Sequence, residues 1–185
     1  MSSALTKETI LHLFDALNDE LRSAGVSAHV KIAGGAVMCL AFDARKSTKD
    51  VDATFEPSVQ VLDAAIRVAE KEGVRDTWLN DAVKGYLSDR GPYEPYLKLS
   101  NLEVSRATAE YMLAMKCLAI RTGAGFQDEE DIRYLLRNLG ITRYGDAEQI
   151  LRDYYPIGEY PGIALSALRE ILGESGRPPR SREAE

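Results

Sequence analysis

The sequence predicts an α+β fold: a small mixed β-sheet flanked by helices, followed by an all-helical second half. Three observations lead there. Strand-like runs, Ala28 to Ala33 and Lys49 to Phe55, are interleaved with helical repeats in the first part of the chain. Two more, Tyr96 to Leu99 and Leu102 to Ser105, flank a turn at Ser100-Asn101. From Thr108 onward only helical periodicity remains. A chain of 185 residues, 45% hydrophobic and 28% charged, has the composition of a globular protein and buries roughly 70% of its unfolded surface.

The elements follow in order. Thr6 caps a first helix in which Ile10, Leu13, Phe14, Leu17 and Leu21 recur at helical spacing, and Gly25 stops the run. Val30 and Ile32 alternate with polar neighbours, as in a half-buried strand. Gly34-Gly35 opens a small apolar helix over Ala36 to Phe42, and Lys49 to Phe55 is the next strand. Pro57-Ser58 starts an amphipathic helix that runs to Glu72 and closes at Gly73. Trp78 to Leu87 reads as a helix or turn, and Asp89 to Pro95 as a Gly/Pro-rich loop. Helices are predicted at 108–122, 128–139, 145–155 and 161–172. The organisation is thus an α/β core over 1–107, a C-terminal helical region over 108–173, and a polar, Pro-containing tail over 174–185 that predicts disorder.

Charge and cysteine usage narrow the function classes. Twenty-three Lys plus Arg against 29 Asp plus Glu give a net charge of −6, which argues against a basic nucleic-acid-coating protein but not against a local contact with an RNA end. Cys39 and Cys117 lie in apolar helical runs and read as small buried hydrophobes, and two histidines do not make a His-based zinc site. The N-terminus has no signal-peptide pattern, and no apolar run approaches the roughly 20 residues of a membrane span. The expectation is a reduced, cytoplasmic protein without a membrane partner.

The most informative stretch is Ala33 to Phe55. Fourteen residues separate Gly35 from Asp50-Val51-Asp52. Residues two apart on a strand point to the same face, roughly 7 Å apart along the chain. With Val51, Ala53 and Phe55 facing the core, Asp50 and Asp52 project together on the other side. Two carboxylates about 4 Å apart repel by about 4 kcal/mol at an effective dielectric near 20, so a solvated rim or a divalent cation must hold them. Mg²⁺ bound by one or two carboxylates plus substrate phosphates is one such arrangement. The Gly-Gly pair is either a tight turn where only glycine fits, or a helix start whose amides face a triphosphate.

Lys116 is the second anomaly, the one charge in Tyr111 to Ile120. Met112, Leu113 and Ala119 share its side, so it either snorkels or meets a carboxylate or a phosphate. Asp128-Glu129-Glu130-Asp131 opens the next helix, with Asp128 as N-cap. Asp131 faces Lys116 if the two helices form a hairpin, and Arg121 at the end of the lysine helix joins them or contacts phosphate. Glu103 points away from the core-facing Leu102 and Val104, as a third acidic metal ligand or a solvated strand residue.

On these residues the chain resembles the nucleotidyltransferases of the polymerase-β-like superfamily, whose signature is an apolar residue, Gly-Gly or Gly-Ser, then Asp-x-Asp. Within it the chain is similar to the bacterial branch akin to AbiEii-type toxin nucleotidyltransferases, through IAGGAVMCLAFDARKSTKDVDATF, WLNDAV, AEYMLAMKCLAIR and QDEEDIRYLL with LRDYYP. The resemblance implies that Gly34 and Gly35 border a triphosphate and that Asp50 and Asp52 bind Mg²⁺ or Mn²⁺. It also implies that Lys116 and Asp131 complete the active centre. The implied reaction transfers a nucleoside monophosphate from an NTP to an acceptor. In related toxins that acceptor can be the 3′ end of tRNA, and a cognate antitoxin protein restrains the activity. Ala36 stands where active members commonly carry Ser or Thr to touch the phosphates. A small-molecule nucleotidyltransferase and a catalytically silent binding or regulatory protein of the same fold are the alternative readings.

Overall fold

The computed structural model describes residues 4–120 and 127–173. A two-residue strand β1 (Leu5–Thr6) leads into helix α1 (Lys7–Ser23). The Thr6 hydroxyl accepts the Thr9 amide at 3.3 Å, the expected cap, and Ile10, Leu13, Phe14, Leu17 and Leu21 are all buried. Strand β2 (Ala28–Ile32) is followed by helix α2 (Gly34–Leu40), β3 (Ser47–Thr48), β4 (Val51–Glu56) and helix α3 (Ser58–Glu72), which ends at left-handed Gly73. Next come β5 (Leu79–Asn80), a 3₁₀ turn at Ala82–Tyr86, and the hairpin of β6 (Tyr93–Lys98) and β7 (Leu102–Ala107). The last helices are α4 (Ala109–Leu118), α5 (Asp128–Asn138), α6 (Tyr144–Tyr154) and α7 (Gly162–Ile171).

The fold is α+β around a mixed five-stranded sheet of order β5-β4-β2-β7-β6. β2 runs antiparallel to β4 and parallel to β7, while β5 is parallel to β4 and β6 antiparallel to β7. Period-two alternation decides which side is covered. Val30, Ile32, Val51, Ala53, Phe55, Leu102 and Val104 are buried, whereas His29, Lys31 and Glu103 are exposed and Asp52, Thr54 and Ser105 half-buried. α1 and α3 pack against each other and onto the sheet. Trp78 seals this side, its indole N–H donating to the Ala65 carbonyl at 3.0 Å.

Three local features differ from the sequence expectation. The stretch predicted as helix or turn at Trp78 begins with strand β5, two residues being too short to carry a periodic signal. β1 and β3 pair with each other, Leu5 opposite Thr48. The expected loop at Asp89 to Pro95 contains the start of β6, because Pro95 lies on an edge strand at a register irregularity, where the ladder tolerates a missing N–H.

α4 packs against α5, α6 and α7 and is fixed to the sheet side by fully buried Tyr111, whose hydroxyl accepts the Ser88 amide at 2.8 Å. Gly91 lies so close to the Tyr111 ring that no side chain fits there. Cys39 and Cys117 are buried free thiols, and burial pushes the Cys117 thiol up to about 12. Among the described residues no helix is long and apolar enough to cross a membrane. The predicted tail over 174–185 lies outside the described residues.

Candidate functional site

The chain leaves β2 at Ile32 and turns at the two glycines, where β4 begins. The Ala33 amide donates to the Asp52 carbonyl at 2.9 Å, so the turn is tied to the first residues of β4. Gly34 has φ +63°, and a Cβ there would stand 2.8 Å from Asp52 Oδ2. A Cβ on Gly35 would stand 2.5 Å from Thr48 Oγ1 and 3.3 Å from Arg45 Nη1. Both glycines are therefore required by close approach, and Gly34 also by its left-handed backbone.

Asp50 immediately precedes β4 and Asp52 is its second residue. Both are half-buried, while Val51 between them and Ala53 beyond are fully buried. The alternation keeps both carboxylates off the core side. In register with Asp52 on β5 stands Asn80, whose side-chain carbonyl accepts the Ala82 amide at 3.0 Å. Carboxylates of this kind suit a hard cation. Among the described residues no group of three or more His, Cys, Asp or Glu side chains is arranged to hold a metal. A hard ion here would rely on two carboxylates, with water and ligand oxygens completing its shell, which is how Mg²⁺ is commonly held.

The second cluster is buried. Lys116 is 8% exposed and pairs with Asp128 at 2.9 Å and Asp131 at 2.8 Å. Asp131 is also gripped by Arg45, whose Nε donates to Oδ1 at 2.7 Å and whose Nη2 donates to Oδ2. The expected meeting of Lys116 with Asp131 across neighbouring helices is present. Asp128 differs from its expected role: Gln127 occupies the N-cap position, and Asp128 is the first helical residue, buried against Lys116. Among the described residues two cations and two carboxylates balance, which a buried cluster needs to offset its desolvation.

Arg45 links the clusters. One side of its guanidinium holds Asp131 and the remaining nitrogen approaches Gly35. Its other surroundings form an open hollow of about 490 Å³ between the 44–47 segment and α5, where Lys46, Arg133 and Arg137 also contribute cations. Sequence reading missed Arg45. It stands in a polar connection, and only tertiary closure against α5 marks it.

The structure does not bring Glu103 to this site. It faces His29 in the β2–β7 register, while Asp52 lies beyond Ile32 on the far end of β2, a separation of about 13 Å along the strands alone. Glu103 is exposed and paired with Lys98 on β6. The Lys98 hydrogen bond holds its carboxyl below the usual range. A third ligand at the Asp50–Asp52 pair is therefore not Glu103, because a parallel neighbour in this register puts residue 103 at the opposite end of the sheet. It lines a separate hollow of about 720 Å³ there, with His29 and Glu56. Arg121 lies outside the described residues.

Comparison with protein-family models, with curated proteins and with solved structures finds no significant match.

Proposed function

We propose that the protein is a Mg²⁺-dependent nucleotidyltransferase, with the nucleotidyltransferase fold and a C-terminal helical bundle, that moves a nucleoside monophosphate from an NTP to an acceptor. The observation that carries this reading is the approach of the Asp52 carboxylate to the Gly34 turn at one end of an open sheet face. Gly34 and Asp52, with seventeen residues between them in the chain, become neighbours there.

In this reading Asp50 and Asp52 hold Mg²⁺ or Mn²⁺, and the glycine turn lets the donor's phosphates come close to the backbone. The metal supplies charge neutralisation at the phosphates. The acceptor oxygen attacks the α-phosphorus, the bond to the bridging oxygen breaks, and pyrophosphate leaves. The acceptor's proton passes to a carboxylate of the pair. Such transfer asks little covalent work of a protein, so positioning and charge dominate. Lys116 and Asp131, buried and mutually neutralised, support the site from behind. An RNA end such as the tRNA 3′ terminus is the proposed acceptor, in the manner of a toxin restrained by an antitoxin.

The test is incubation of purified protein with each labelled NTP, Mg²⁺ and total RNA. Label should enter RNA with one or a few NTPs and vanish in EDTA. Labelling of small metabolites alone would replace the RNA acceptor with a compact one. Absence of both labelling and metal-dependent NTP binding by calorimetry would remove the transferase reading.

A further inference from the structure

We propose that Arg45 Nη1 and Thr48 Oγ1 form an oxyanion-binding pair at the glycine turn that takes phosphoryl oxygens, with Asp131 as its positioning residue. The identity of that anion as the donor nucleotide's phosphates rests on the transferase reading above; the existence of the pair does not.

Two donors reach the backbone of one turn: a Cβ on Gly35 would stand 2.5 Å from Thr48 Oγ1 and 3.3 Å from Arg45 Nη1. Thr48 is 8% exposed, and among the described residues its hydroxyl has no hydrogen-bond partner. The Thr48 backbone is held by the pairing of β3 with β1, Leu5 opposite Thr48. Arg45 spends Nε and Nη2 on Asp131, and Nη1 has no protein partner among the described residues. The fork is thus half engaged and half presented. Guanidinium suits this division, since its donors lie in one rigid plane and remain charged.

Behind the pair, Asp131 is locked by Lys116 at 2.8 Å, and Lys116 by Asp128 at 2.9 Å. That chain fixes the plane of Arg45 from α5 and α4, outside the sheet. Ahead of it, Gly34 touches the Asp52 carboxylate, so an anion bridging this pair lies beside the proposed metal ligands. The arrangement also accounts for Ala36. Its side chain is fully buried, so a hydroxyl at that position would enter the core, and Thr48 brings one to the same turn from the neighbouring connection.

The experiment is calorimetric titration with inorganic triphosphate in the presence of Mg²⁺, on the full chain and its variants. Wild type should bind. Thr48→Val, which keeps shape and removes one neutral donor, should weaken binding about fivefold, and Arg45→Lys roughly 10- to 30-fold, the scale of charge-assisted bonds. Asp131→Asn should weaken it to a similar extent, with Asp131→Glu giving partial rescue. The double variant Arg45→Lys/Asp131→Asn should be little worse than Arg45→Lys alone, a coupling that a merely structural aspartate would not show. Because Asp131→Asn unbalances a buried charge cluster, the decisive variant is Thr48→Val, checked for an unchanged melting temperature. Equal triphosphate affinity in wild type, Thr48→Val and Arg45→Lys overturns the pair, as does absence of binding to wild type. Binding that depends on Thr48 and Arg45 without transfer from any NTP leaves the pair standing and removes the transferase reading. Transfer with the KM for NTP unmoved in both variants does the reverse.

Discussion

Two pairs of aspartates lie on either side of Arg45 and have opposite environments. Asp128 and Asp131 are buried and already neutralised by Lys116 and Arg45. Asp50 and Asp52 stand half-buried at the start of β4, on the open side of the sheet, and Asp50 has no ion-pair partner among the described residues. Carboxylates whose charge is balanced inside the protein hold helices and orient neighbours. A rim carboxylate such as Asp50, with no ion-pair partner among the described residues, remains available to a cation from solution. The two pairs should therefore fail differently when altered.

The largest expected effect is on chemistry without stability. Asp50→Asn should lower transfer at least about 10³-fold while the melting temperature stays within about 2 °C of wild type, because no buried partner is orphaned. Assaying label incorporation and thermal unfolding on one preparation checks both halves. Full activity in the folded variant would end the metal-ligand role.

Lys116→Met should show the converse. It removes the buried ammonium that Asp128 and Asp131 share, a loss of the kind that costs about 3–5 kcal/mol, read as a lower denaturant midpoint. A variant as stable as wild type would mean that the cluster is not holding α4 to α5.

Gly34→Ala comes next and couples the two properties. Its backbone at φ +63° and the 2.8 Å approach to Asp52 predict a loss of about 1–3 kcal/mol, together with displacement of the Asp52 carboxylate. Gly25→Ala, also at positive φ but with no neighbour within 4 Å, should lose stability alone and serves as the control.

Glu103→Gln should do least, leaving transfer unchanged and the melting temperature within about 1 °C, as for an exposed ion pair. Lys98 holds the Glu103 carboxyl below its ordinary 4.5. The pair's small contribution is therefore present above that pH and is lost as pH falls through the depressed value. A large activity loss in this variant would reopen the far end of the sheet as a site.

Much of the molecule was legible because local rules act within an element. Thr6 caps α1 and Gly73 closes α3 as their chemistry demands, and the buried set Val51, Ala53 and Phe55 follows from alternation alone. Lys116 stood out because one charge in an apolar helix needs a partner, and Asp131 was the candidate one helix away. Strands of two residues carry no period, which hid β3 and β5. Pro95 argued for a loop because its place on an edge strand is a property of the sheet.

The sequence by itself determined the elements, the buried stripes and the alternation that turns Asp50 and Asp52 away from the core. These depend on contacts a few residues apart. Only the tertiary structure decided that Gly34 meets Asp52, that Glu103 stands at the opposite end, and that Arg45 closes onto Asp131. Strand order, register and helix docking are set by the packing of the whole core, and no spacing along the chain encodes them.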